Sequence, residues 1–414
     1  MARDKTLLRN SSNNAGRDGL GGSSLSTILL LLSIGTFCSG ASMRIMDPML
    51  PFLSSEFQVS LSEAGQTITY FSITYGLSLF FIGAVGDRYG KLRVTTWACV
   101  LCGLTTLSCA FAPDFLFLKM GRLLSGAANS AVMTLAMAWV GDVVPYERRH
   151  SVLSRLLVGM SLGVTGGIVV GGFAGDGVIG WRLAFAMLAA VYMLVGGALI
   201  LLLRTMPAQA PPAPSRRASI LLLSIKEYRS ILAHPWARVM LLTVALEGAL
   251  YFGALAFIPF HLNSKYGISL SLAGSVVMLA GIGGLFFSLG AGWFVGLGER
   301  RLVVTGGLMT AAALLVLGFA PTWLAALPAC FCAGMGFYMY HSTLQANATQ
   351  IDPARRGAAM AAFSSCFFLG QSAGVALFGR FIERAGSTAA MGVAALGLAV
   401  VILVFAARLK KQTG

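Results

Sequence analysis

The stretch VSLSEAG at residues 59–65 recurs as ISLSLAG at residues 268–274, a separation of 209 residues. Each copy opens an apolar run long enough for a helix to cross a hydrocarbon core of about 30 Å, which takes roughly 20 residues. Outward from these copies the correspondence continues. Gly163, Gly167 and Gly172 return as Gly370, Gly374 and Gly379 at a separation of 207, and Pro145, Arg148 and Arg149 are echoed by Pro353, Arg355 and Arg356. A unit of about 208 residues with six spans ends on the side where it began, so the two copies share one orientation, as parallel repeats about an axis along the membrane normal must.

Twelve spans are predicted near 27–50, 64–86, 94–113, 116–140, 152–175, 181–203, 237–261, 271–296, 302–320, 322–348, 357–381 and 386–407. The fold class is therefore an all-α polytopic membrane protein of two six-helix bundles, residues 26–204 and 237–409. Residues 1–25 are polar and are expected to form a disordered tail. Residues 205–236 hold MPAQAPPAPSRR and a basic amphipathic stretch, and are expected to link the bundles along the membrane surface. Of the 414 residues 57% are hydrophobic and 11% charged, and the mean hydropathy is +0.79, far from the range of soluble domains.

The net charge of +15 would suggest a nucleic-acid partner in a soluble protein, but its distribution argues otherwise. If the N-terminus is cytoplasmic, 23 of the 30 Lys and Arg fall on the inner side. Both termini are then expected in the cytoplasm, in a bacterial inner membrane. The seven Cys all lie in apolar spans, so neither a disulfide framework nor a metal site is expected, and no cofactor is implied.

GAVGDRYGKLRV, residues 83–94, joins the second and third spans and resembles the loop signature of the major facilitator superfamily. Gly83, Gly86 and Gly90 suit close helix approach and a tight turn. The resemblance implies a gate at this loop: Asp87 facing the start of the eleventh helix near Gly357, with Arg88 paired to Asp142. In the fourth span Arg122 and Gly126 match the family's Arg-x-x-x-Gly element, whose Arg is associated with proton coupling. The fifth span, GMSLGVTGGIVVGG from Gly159, is similar to the glycine-rich element of exporters, although Val164 and Thr165 stand where a Gly-Pro pair is usual. Gly159, Gly163 and Gly167 would let helix backbones touch.

Charged groups at membrane depth are costly and mark function. An isolated guanidinium at the depth of Arg122 costs at least about 2.5 kcal/mol, so it needs a partner or water. Asp47, in SMRIMDPMLP, stands three residues after Arg44, a spacing that puts both on one helix face, and Pro48 and Pro51 should kink that end. Glu247 lies mid-span in TVALEGALYFG, where a carboxyl group can serve as a proton carrier. We therefore expect Asp47, Glu247 and Arg122 to couple protons. Arg44, Tyr251, His341 and Gln345 are expected to line the substrate cavity.

The resemblance points to a twelve-span carrier like the drug/proton antiporters of the multidrug and arabinose efflux type, exporting a small, amphipathic or drug-like molecule by alternating access. Its expected partners are substrate, protons and membrane lipids, and a monomer is expected. The alternative is proton-coupled uptake of a small organic anion or sugar. A membrane-embedded enzyme or a non-transporting sensor is the remote alternative, for which the sequence supplies neither a nucleophile with its base nor a metal cluster, and the missing nucleotide-binding signatures argue against an ATP-driven pump.

Overall fold

The computed structural model describes residues 22–205, 228–352 and 355–409. The expected tail up to residue 21 and the expected linker from 206 to 227 lie outside the described residues. Twelve helices among those described are long and apolar enough to span a membrane. They are α1 (Leu25–Arg44), α2 (Leu61–Tyr89), α3 (Lys91–Ala110), α4 (Phe115–Val143), α5 (Ser151–Gly175), α6 (Trp181–Thr205), α7 (Pro235–Tyr266), α8 (Leu270–Leu289), α9 (Glu299–Phe319), α10 (Trp323–Ala348), α11 (Arg356–Ala385) and α12 (Ser387–Leu409).

Most spans fall within a few residues of expectation. The first is shorter than expected, ending at Arg44, because residues 45–49 leave the helix as turns around Pro48 before a short helix, Leu50–Glu56. The seventh runs on to Tyr266, and the eighth stops at Leu289 before Gly290.

Packing repeats between the halves. α1 lies on α5 as α7 lies on α11, and α2 on α4 as α8 on α10. Large apolar side chains such as Leu194 and Leu201 of α6, and Leu396 and Val400 of α12, stand exposed, as expected of helices facing lipid. Glycines set the closest approaches. A Cβ on Gly159 would lie 2.7 Å from the Ser33 carbonyl oxygen and one on Gly167 2.6 Å from that of Ala41, while Gly163 abuts the Phe37 carbonyl. The repeat reproduces this contact, with Gly370 against Ala245 and Gly374 against Ala249. These obstacles are backbone atoms, so they cannot rotate away. Gly163→Leu is accordingly expected to destabilise the protein by about 3 kcal/mol or to prevent its folding. Gly83→Ala, with nothing within 4 Å of the added carbon, should leave the melting temperature unchanged. Thermal melting followed by size exclusion of the two variants checks this.

The two bundles meet along α2 with α11 and α5 with α8. At one end, Asp176 after α5 and Glu383 of α11 accept hydrogen bonds from the first turns of α8 and α2 across the seam. Midway, Gln371 Nε2 donates to Ser72 Oγ at 3.1 Å and the Tyr75 and Phe368 rings lie 4.2 Å apart. Beyond Gly76, which is still tight against Phe368 and Ser365, the bundles part. Gly83 and Gly357 have nothing within 4 Å of their Cβ positions among the described residues. Among the described residues the bundles are thus clasped at the Asp176 end, and no hydrogen bond or ion pair joins them near Asp87.

Candidate functional site

The charged groups at membrane depth gather at the seam. On the first bundle, the turn that ends α1 keeps Asp47 close to Arg44, its backbone N–H donating to the Arg44 carbonyl at 3.2 Å. The side chains then meet, Arg44 Nη1 donating to Asp47 Oδ2 at 3.1 Å, with both residues 1% exposed. Arg44 Nη2 and Asp47 Oδ1 have no hydrogen-bond partner among the described residues. Arg122 of α4 is fully buried and turned inward. Its Nη1 lies 3.4 Å from Ser42 Oγ and its guanidinium 4.2 Å from the centroid of the Phe71 ring, while Nε and Nη2 find no partner among the described residues. It therefore does not reach for the headgroups. No hydrogen bond joins it to Asp47 among the described residues.

On the second bundle, Glu247 ends the first part of α7 and is fully buried. Its Oε1 lies 2.7 Å from His341 Nδ1 of α10, and Oε2 has no partner among the described residues. The two expected residues are thus one hydrogen-bonded pair. Immediately after Glu247 the helix widens into a π turn, Gly248–Phe252, a rare distortion that often marks a functional site. Within it Gly248 abuts the Phe367 carbonyl of α11. The turn presents Tyr251 and Phe252 together to a narrow cleft that also holds Arg44, Thr165, Phe337 and Tyr338.

Aromatic rings connect the two charged groups. The Arg44 guanidinium crosses the seam to lie 4.1 Å from the Phe252 centroid. Phe252 lies 5.1 Å from Phe337, on which Tyr251 stacks at 4.8 Å and His341 at 4.9 Å. Gln345, expected in the cavity, is exposed and does not line this cleft. His261, by contrast, is enclosed by Ser387 Oγ at 2.8 Å and the Leu317 carbonyl at 2.9 Å, a structural role.

At the Asp87 end the expected contacts take a different form. Asp142 is met not by Arg88 but by Lys91, at 2.6 Å, and Lys91 also lies 3.4 Å from Asp87. Gly90, at φ +91°, turns the chain so that Lys91 faces the end of α4. Arg88 instead lies over the Tyr89 ring at 5.4 Å. The Asp87 side chain is 70% exposed, and among the described residues no hydrogen bond or ion pair joins it to the start of α11.

The profile of the Major Facilitator Superfamily matches residues 32–375. The chain belongs to the Major Facilitator Superfamily. This major facilitator is 25% identical over 367 residues to an uncharacterized MFS-type transporter, YceJ, of Bacillus subtilis (strain 168), covering 86% of this chain and 89% of the relative. It is 29% identical over 363 residues to a "probable sugar efflux transporter" of Pasteurella multocida (strain Pm70), covering 86% and 85%. Among solved structures it is similar to the nucleoside transporter NupG, with a TM-score of 0.69 at 15% identity over 94% of this chain and 100% of the other. It also resembles a bacterial homologue of the human lysosomal transporter Spinster, solved inward-facing, with a TM-score of 0.72 at 18% identity over 94% and 96%. These structural likenesses, at such low identity, establish the fold of this multi-pass transporter.

The sequence alone does not single out three seam residues, Phe337 in the cleft and Asp176 and Glu383 at the closed end. For the last two a signal was available. They stand 207 residues apart, the same separation as Gly172 and Gly379, four positions before them.

Proposed function

We propose that this protein is a proton-coupled exporter of a small amphipathic molecule, working by alternating access in a bacterial cytoplasmic membrane with both termini inside. The observation that carries the reading is the pair of fully buried carboxyl groups, Asp47 and Glu247, placed on opposite bundles, each with one oxygen that no described residue satisfies. Such groups are costly unless they change protonation or partner as the bundles rock. The excess of Lys and Arg on the side of the Asp87 loop supports placing that loop in the cytoplasm. The conformation is then inward-open, as in the Spinster homologue named above. Substrate reaches the cleft between Arg44, Tyr251 and Phe337 from the cytoplasm, and protons arriving from outside reset the carboxyl groups. The sugar efflux relative and the glycine-rich α5 support export.

Purified protein in liposomes, screened against dyes, antibiotics, sugars and carboxylates under an imposed pH gradient, tests this. Inward proton flow should expel the preloaded substrate, and flux indifferent to the gradient would remove the coupling. Asp47→Asn keeps the shape and the hydrogen bond from Arg44 but cannot exchange a proton, so gradient-driven transport should fall roughly tenfold or more with the fold intact. A second reading, uptake of a small organic anion together with protons, is favoured by Arg44 Nη2, which lacks a partner among the described residues of the cleft it lines. Alkalinisation outside the liposomes during uptake would identify it.

A further inference from the structure

The helix that begins at Leu270 should leave its first N–H groups unpaired, as any helix does. Here three of them are satisfied by side chains. Leu272 N–H donates to its own N-cap, Ser269 Oγ, at 3.2 Å. Leu270 N–H and Ser271 N–H donate to Asp176 Oδ1 and Oδ2, each at 2.7 Å, and Asp176 belongs to the other bundle. Burial pushes this carboxyl up, but the hydrogen bonds from Ser271 and Leu270 outweigh it and hold Asp176 below its ordinary value. The carboxylate is therefore charged throughout the physiological range and would be protonated only in acid, as the pH falls through that lowered value.

The same device recurs at the start of α2. Ser60 and Glu63 form a capping box within the helix. Ser62 N–H donates across the seam to Glu383 Oε1 of α11 at 2.6 Å. Ser62 and Ser271 are equivalent positions of the VSLSEAG and ISLSLAG copies, and Asp176 and Glu383 share the spacing of the repeated glycines. Those glycines permit the approach. A Cβ on Gly172 would lie 2.7 Å from the Leu270 carbonyl, and one on Gly379 3.0 Å from Ser62 Cα.

We infer that Asp176 and Glu383 form a symmetry-related pair of clasps that hold the bundles shut at this end and must release together for the carrier to open there. The geometry requires it, because each carboxylate and the N–H groups it accepts lie on opposite bundles and separate whenever the bundles do. Opening exposes these groups to water, which replaces the hydrogen bonds only in part. The clasps thus set the ratio of the two access states. The inference rests on alternating access but not on the coupling ion, the substrate or the direction of transport.

Hydrogen–deuterium exchange of the full-length protein in detergent or nanodiscs, without substrate or gradient, tests it. Asp176→Ala should raise exchange in residues 268–274, which any cap removal would do. It should also raise exchange at 59–65, beneath the intact Glu383 clasp, by roughly tenfold, since one opened state exposes both. Residues 83–94, at the opposite end, should become more protected as the bundles close there. Glu383→Ala should give the reciprocal result. Exchange confined to the mutated clasp, with 59–65 and 83–94 unchanged, would reduce Asp176 to a local helix cap and overturn the inference. Should the Ala variant fail to fold, Asp176→Asn, which retains one acceptor oxygen, should show the same coupled pattern at smaller amplitude, and its absence there overturns the inference equally.

Discussion

Glu247→Gln is expected to lower pH-gradient-driven transport by roughly 100-fold while substrate counterflow persists. Glutamine matches the shape of the side chain it replaces and can keep the hydrogen bond to His341 Nδ1, now 2.7 Å from Oε1. The volume at a fully buried position is preserved, so the melting temperature should change little. What disappears is the ability to take up and release a proton. Counterflow needs only binding and the rocking of loaded bundles, whereas net gradient-driven flux needs a group whose charge differs between the two access states. Liposomes containing the variant, assayed both ways, separate these steps. Wild-type dependence on the pH gradient would exclude Glu247 as a proton site, and loss of counterflow as well would make it a binding residue.

The architecture is legible because its causes are local or repetitive. Spans of some twenty apolar residues and a stretch recurring after 209 positions report the bundles directly. Arg44 and Asp47 are also legible, and for an instructive reason. Their spacing of three brings them together even though the helix that would justify it stops at Arg44, since the turn that follows preserves the hydrogen bond from Asp47 N–H to the Arg44 carbonyl. Glu247 and His341 each stand out as polar groups in apolar spans, but their pairing depends on how α7 packs on α10, 94 residues away, and no local pattern encodes that. Lys91 displaces Arg88 as the partner of Asp142 because a single positive φ at Gly90 redirects neighbouring side chains. Asp176 and Glu383 look like ordinary charged residues near helix ends, and only the repeat spacing sets them apart.

The seam holds Arg44, Arg122 and Asp47 on one bundle and Glu247 with His341 on the other. With both of these buried carboxyl groups ionised and His341 neutral, the membrane-depth charges cancel, one net positive on the first bundle against one negative on the second. Under the proposed mechanism each proton taken up would change the attraction between the bundles as well as the charge of one residue, and so link the occupancy of these sites to rocking.

Arg122 makes the sharpest test of this balance. Arg122→Met is expected to leave the melting temperature close to that of the wild type, since the lost charge balance is offset by the relief of a poorly compensated buried guanidinium. The reason is that the buried guanidinium has poor compensation: one contact to Ser42 at 3.4 Å, the face of Phe71, and two nitrogens with no partner among the described residues. Methionine fills much of the same space without burying a charge. Gradient-driven transport, by contrast, should fall by one to two orders of magnitude, because the positive charge that balances the second carboxylate across the seam is gone. Arg122→Lys, which keeps the charge but not the planar fork over Phe71, should lie between. Thermal melting and liposome transport of both variants decide the matter. A Met variant that melts far below the wild type would make Arg122 a structural residue, and one that transports normally would end its role in coupling.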